Sequence, residues 1–149
     1  MKQETFPVLY ILMRSDITSM NPGKAMAQAS HASNAMVHKI RKGGKVPSKE
    51  LTALLNKWES DTKQGFGTCL VLDAGNEAAI LETLKELKEF ERAVGSKNAV
   101  YAADIINDPT YPIRDGDITH YISFNTCGYV FLDKNSPIAE LLRNFELHA

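Results

Sequence analysis

Lys24, Gln28 and His31 stand at i, i+4 and i+7 in the stretch NPGKAMAQASHASNAM, Asn21 to Met36. If that stretch is helical, all three side chains share one face. Lys24 then falls in the first turn, where unpaired backbone N–H groups and the positive end of the helix dipole already favour an anion, and an ammonium adds to that potential. A carboxylate, a phosphate or a developing oxyanion would be held there. A cation in the first turn has the wrong sign for helix stability, which points to some other use. The competing reading is a plain solvent-facing polar stripe. A second group lies in INDPTYPIRDGD, Ile106 to Asp117, where Asp108 and Thr110 follow an apolar run. Sites in open α/β sheets form outside the carboxyl ends of strands, where loops project polar groups from a rigid base. An Asx-type turn before Pro109 and an ordinary loop hydroxyl are the alternatives there.

Several chemistries lack their apparatus. Gly23-Lys24 is followed by Ala25 rather than Ser or Thr, and the earlier glycine of a phosphate-binding loop is absent. There is no G-x-S-x-G elbow, no H-E-x-x-H and no Cys/His zinc spacing. Neither covalent nor metal catalysis is expected, and no cofactor.

The elements that must carry these residues follow from hydropathy. VLYILMR, Val8 to Arg14, is a short apolar run of the kind buried on both faces of a sheet. Asn21 can cap a helix with Pro22 at its first position. Along it Ala25, Met26, Ala29, Ser33, Met36, Val37 and Ile40 form an apolar stripe, with Lys24, Gln28 and His31 roughly opposite and facing outward. The small residues among them allow close packing on a sheet. The helix should end at Gly43-Gly44, and Pro47-Ser48 should open a second one bearing Leu51, Leu54, Leu55 and Trp58.

GTCLVLD, Gly67 to Asp73, reads as a second strand. Asn76 then caps a helix whose Ala79, Ile80, Leu84, Leu87 and Phe90 face inward. NAVYAADIIND, Asn98 to Asp108, and GYVFLD, Gly128 to Asp133, complete four strands, with a loop of some strand-like alternation between them. Ser136-Pro137 should cap a closing helix. Strand, helix and strand in this order imply crossovers and a parallel component. The expected architecture is one α/β domain, residues 1–149, with a mixed sheet and helices on both faces.

Composition fits a single soluble domain: 44% of the residues are apolar and 23% charged, with no biased tract. Cys69 and Cys127 both lie in apolar runs and read as buried, inert thiols of a reducing, cytoplasmic protein. No apolar run is long enough to span a bilayer, and no signal peptide is expected. The net charge of −1 hides an asymmetry. Residues 1–49 carry eight Lys and Arg against two acids, and the remainder nine against sixteen. A basic segment such as HKIRKGGK, His38 to Lys45, could face a polyanion, or simply suit the negative end of a helix dipole.

YILMRSDITSMNPGKAMAQASHASNAM resembles the opening of the archaeal and eukaryotic type of peptidyl-tRNA hydrolase, whose signature is a hydrophobic strand, R-x-D-L and then G-K-x-A-A-Q-x-S-H-A. Gly23, Lys24, Ala27, Gln28, Ser30, His31 and Ala32 match it in register. The likeness continues through LLNKWESDTKQGFGTCLVLD, the helix EAAILETLKELKE and the closing IAELLRNFELH. The family's second motif, D-A-G-R-T-Q-I-x-P-G, is partly kept in DPTYPIRDG: Asp108 matches its Asp, its Thr falls on Thr110 or Tyr111, and its Arg and Gln are missing. The segment Asp117 to Asn125 is longer than the family usually has.

The resemblance implies a four-stranded mixed sheet, commonly a homodimer, and metal-free hydrolysis of the ester between a peptide and tRNA. By this match Lys24 is the active-site lysine, stabilising the oxyanion or the terminal phosphate. Asp108 would orient water, with Lys24 lowering its pKa, and Thr110 would supply a hydroxyl hydrogen bond. Gln28, Ser30 and His31 would support the site or face the RNA, and Arg41 and Lys42 would join them on the tRNA backbone. The alternative is a non-catalytic RNA- or protein-binding module on the same fold.

Overall fold

The computed structural model describes residues 4–42 and 49–148. The expected helix end at Gly43-Gly44 and the opening of the next helix at Pro47-Ser48 lie outside the described residues. β1 (Pro7–Arg14) is central, buried along nearly its whole length because both its faces are covered. Leu9, Ile11 and Met13 pack under α1 (Pro22–Lys42) and α2 (Lys49–Ser60), against Ala32, Met36, Ile40, Leu54, Leu55 and Trp58. Val8, Tyr10 and Leu12 pack on the other side under α3 (Glu77–Val94), which contributes Ile80 and Leu87. The expectation of helices on both faces holds. α3 begins as the sequence requires, with the Asn76 side chain accepting from the Ala79 N–H at 2.9 Å. Among the described residues no helix is long and apolar enough to cross a membrane.

The sheet has five strands, not four, in the order β3-β4-β1-β2-β5. β2 (Thr68–Gly75) runs parallel to β1, joined by the crossover through α1 and α2. β4 (Ile118–Asp133) lies antiparallel to β1 on its other side, and β3 (Tyr101–Asp115) is outermost. The fifth strand, β5 (Glu146–Leu147), is a short addition to β2 at Leu72 and Asp73. It was missed because two residues leave no hydropathy period to read. The expected closing helix is a 3₁₀ helix, Pro137–Leu142, whose Ile138 and Leu142 are buried. Cys127 is buried as expected; Cys69 is exposed, in the part of β2 that β5 leaves unpaired.

The segment read as a loop between the third and fourth strands is instead a two-stranded arm. β3 and β4 stay paired out to Asp115 and Ile118. Gly116 and Asp117 make the turn, and Gly116 takes the left-handed φ of 60° that such turns demand. Register shifts fall at Ile106/Asn107 and at Asp108/Tyr111, so Asp108 sits between two irregularities that re-aim its side chain. Where the paired strands cross the sheet body, Gly128 lets α3 come close: a Cβ there would lie 2.7 Å from Ile80 Cγ2.

Candidate active site

α1 is held at its start by Asn21, whose Oδ1 accepts from the Lys24 N–H at 2.9 Å. The buried line of the helix is Gln28, Ala32, Met36 and Ile40, one residue every four. This corrects two expectations. Met26, placed on the apolar stripe, is 70% exposed, because it lies about 200° around the helix from Gln28. Gln28, placed on the outward polar face with Lys24 and His31, is 3% exposed. A buried amide is tolerable only when its hydrogen bonds are made, and here both ends are used. Nε2 donates to Asp108 Oδ2 at 2.7 Å, and Oε1 accepts from the Thr126 hydroxyl at 2.6 Å. Thr126 is fully buried on β4, beside the β3 irregularity.

Asp108 is the centre of the cluster. Its Oδ1 accepts the Thr110 N–H at 2.9 Å and the Thr110 hydroxyl at 3.4 Å, while Oδ2 takes the Gln28 amide. Burial pushes the carboxyl pKa up, but the Gln28 hydrogen bond, the Thr110 N–H, the nearby His31 and the Thr110 hydroxyl together hold it below the ordinary carboxylate range. Lys24, expected to lower this pKa, is not among its causes. An ionised carboxylate offers about four acceptor directions; three are occupied, which leaves room for one more donor such as a water.

Lys24 reaches the neighbouring residues of β3 from the helix. Its Nζ donates to the Pro112 carbonyl at 2.7 Å and stands 5.0 Å from the centre of the Tyr111 ring. Among the described residues no carboxylate pairs with it, and an ammonium keeps two further protons for a ligand. Tyr111 is fully buried. Its ring meets Phe124 edge-on at 4.6 Å, and its hydroxyl lies 3.2 Å from Ser19 Oγ. Of the two candidates for a matching Thr, it is therefore Thr110 that touches Asp108, while Tyr111 braces Lys24.

Arg14 fixes the floor. At the end of β1 its Nε and one terminal nitrogen both bond Asp16 at 2.9 Å, the other donates to the Asn125 carbonyl at 2.9 Å, and its plane stands 5.8 Å from the Phe124 ring centre. That ties β1 to the base of the arm. The signal was present in the R-S-D triplet. For Thr126 the signal was a lone hydroxyl entering an apolar run.

Ser30 and His31 are exposed on α1. Arg41 pairs with Glu59 and Lys42 is exposed; both are more than three turns beyond Gln28, about 20 Å along the helix. They border a groove of about 540 Å³ between α1 and α2, with His38, Trp58 and Phe66. The structure therefore joins Gln28, Asp108 and Thr110 by hydrogen bonds, sets Lys24 on the adjacent Tyr111 and Pro112, and leaves Arg41 and Lys42 outside the cluster. Among the described residues no group of three His, Cys, Asp or Glu side chains lies close enough to hold a metal ion.

The sequence model of peptidyl-tRNA hydrolase PTH2 matches residues 7–101. The chain belongs to the peptidyl-tRNA hydrolase PTH2 family. The matched part runs from β1 through α3 to the first residue of β3, so it contains Lys24, Gln28 and His31. Asp108, Thr110, Thr126 and the arm lie beyond it, and in this family member they are placed by the fold alone. No curated protein matches the chain.

Proposed function

We propose that the chain hydrolyses the ester joining a peptide, or an N-blocked amino acid, to the 3′ end of tRNA, using its own side chains and water. The observation that supports this reading is that Lys24, from the start of α1, binds the Pro112 carbonyl of β3, two residues past Thr110, whose N–H and hydroxyl bond Asp108. Water bound at the open acceptor direction of Asp108 attacks the ester carbon. The bond to the ribose oxygen breaks, and the water proton ends on that oxygen. Lys24, with two free N–H directions, stabilises the oxyanion or the terminal phosphate. A carboxylate with a lowered pKa is a weak base at neutral pH, so Asp108 orients the water rather than storing its proton. Gln28 and Thr126 hold that carboxylate still.

α1 carries Lys24, Lys39, Arg41 and Lys42 without one acidic residue, which suits a salt-sensitive, sequence-independent hold on the tRNA backbone. The resemblance adds a homodimer as the working unit and the cytosol as its setting. The test is incubation of the purified protein with N-acetyl-aminoacyl-tRNA, scoring free N-acetyl amino acid. Release at catalytic protein concentrations is expected. Salt-sensitive tRNA binding with no release would overturn the esterase reading in favour of a non-catalytic RNA-binding module, a possibility raised by the missing Arg and Gln of the second motif.

A further inference from the structure

One face of the β3–β4 arm continues the wall of the cluster. Paired residues of neighbouring strands share a face, and faces alternate along each strand. Tyr111 and Phe124 mark the site side by their ring contact. Tyr111 pairs with Ile122, Ile113 with His120, and Asp115 with Ile118, so Ile122, Ile113 and Ile118 follow outward on that same side, alongside His120 and Asp115, whose side chains lie 3.9 Å apart. Ile118 is 62% and Ile122 40% exposed. Pro112 and Tyr121 pair on the opposite side.

Charge separates the two walls. α1 has four Lys and Arg and no acid; Lys39 pairs with Asp104 and Arg41 with Glu59, which leaves Lys24 and Lys42 without a carboxylate partner among the described residues. The arm, residues 109–124, has Arg114 against Asp115 and Asp117, so a polyanion is drawn to the helix and not to the arm. The ester at issue has a polyanion on one side of the scissile bond and an acyl group on the other. We propose that the Ile113, Ile118 and Ile122 face of the arm receives the peptide side chains next to the ester, and so favours apolar acyl groups over small or charged ones. The inference rests on the esterase reading. Since the family match ends at Tyr101, this preference would belong to the chain's own arm and not to the matched portion.

The test uses one tRNA body charged with N-acetyl-leucine, N-acetyl-glycine or N-acetyl-aspartate. For the wild-type protein kcat/KM should favour the leucyl ester by roughly tenfold, the discrimination that a few buried methylenes give. In an Ile118→Ser/Ile122→Ser variant that ratio should fall towards one, through KM. Tyr121→Ser, on the opposite face, should keep it. Equal rates on all three esters by the wild-type protein would overturn the inference while leaving the esterase reading intact. No hydrolysis of any of them would overturn both. An unchanged ratio in the Ile118/Ile122 variant, together with a shift in oligomeric mass, would overturn it by assigning the strip to contact with a second copy.

Discussion

Gln28 Nε2 lies 2.7 Å from Asp108 Oδ2, a buried side-chain bond between positions 80 residues apart. It joins the helix of the matched family region to the strand that lies beyond it. The Thr126 hydroxyl donates to the other end of the same amide. An ionised carboxylate can only accept, so the NH₂ end must face Asp108.

Replacing Lys24 with Ala should lower kcat/KM on N-acetyl-aminoacyl-tRNA by about 10²–10³-fold, the usual loss for one oxyanion donor. The melting temperature should change little, because Lys24 is half-exposed and its ammonium bonds only a backbone carbonyl. An unchanged rate would remove Lys24 from the reaction.

Thr126→Val keeps the side-chain shape but leaves Gln28 Oε1 buried and unpaired. Stability should drop by about 1–3 kcal/mol, measured by urea denaturation, and turnover should fall with it as the Asp108 carboxylate loses its anchor. Thr126→Ser, which restores a donor, should recover most of the activity. If Val and Ser behave alike, the hydroxyl does not position the site.

Asp108 has a folded-state pKa below its unfolded value of about 3.9. Its ionisation therefore favours the folded state. The contribution is complete above the unfolded pKa and is lost as the pH falls through the folded one. Asp108→Asn should show a smaller fall in stability than wild type between about pH 5 and 3. The wild-type kcat/KM profile should show no acid limb from Asp108 between about pH 5 and 7. A limb in that window that vanishes in Asp108→Asn would make Asp108 a base and not an orienting group.

Arg14→Lys retains the charge but cannot bond Asp16 through two nitrogens and the Asn125 carbonyl at once. Amide exchange at the base of the arm should accelerate, with a stability loss of about 1–3 kcal/mol. Exchange rates equal to wild type would show that the Arg14 fork is not what holds the arm.

β1 is legible as a continuous apolar run, and α1 and α3 by periodic hydropathy and local caps: Asn21 with Pro22, and Asn76. The arm was not legible because Pro109, Pro112 and Gly116 interrupt the alternation that marks a strand, and cross-strand pairing, not local preference, keeps it extended. Of the cluster, Lys24, Asp108 and Thr110 could be named from residue type and position. Gln28 was assigned to the wrong side, since a helical period counts a polar residue as outward-facing unless its partners are known. Both of those partners lie on other strands, 80 and 98 residues away.

The outermost strand carries a different consequence. Two lysines of α1 end on backbone carbonyls of β3, Lys39 on Ala103 at 2.9 Å and Lys24 on Pro112 at 2.7 Å. Pro109 and Pro112 have no N–H to offer. A free sheet edge is normally a template on which other chains aggregate, and lysines and prolines are the residues that blunt it. The helix that supplies the polar cluster thereby also guards the border of the sheet against strand addition. Substituting Lys24 would re-expose one acceptor on that border as well as altering the chemistry.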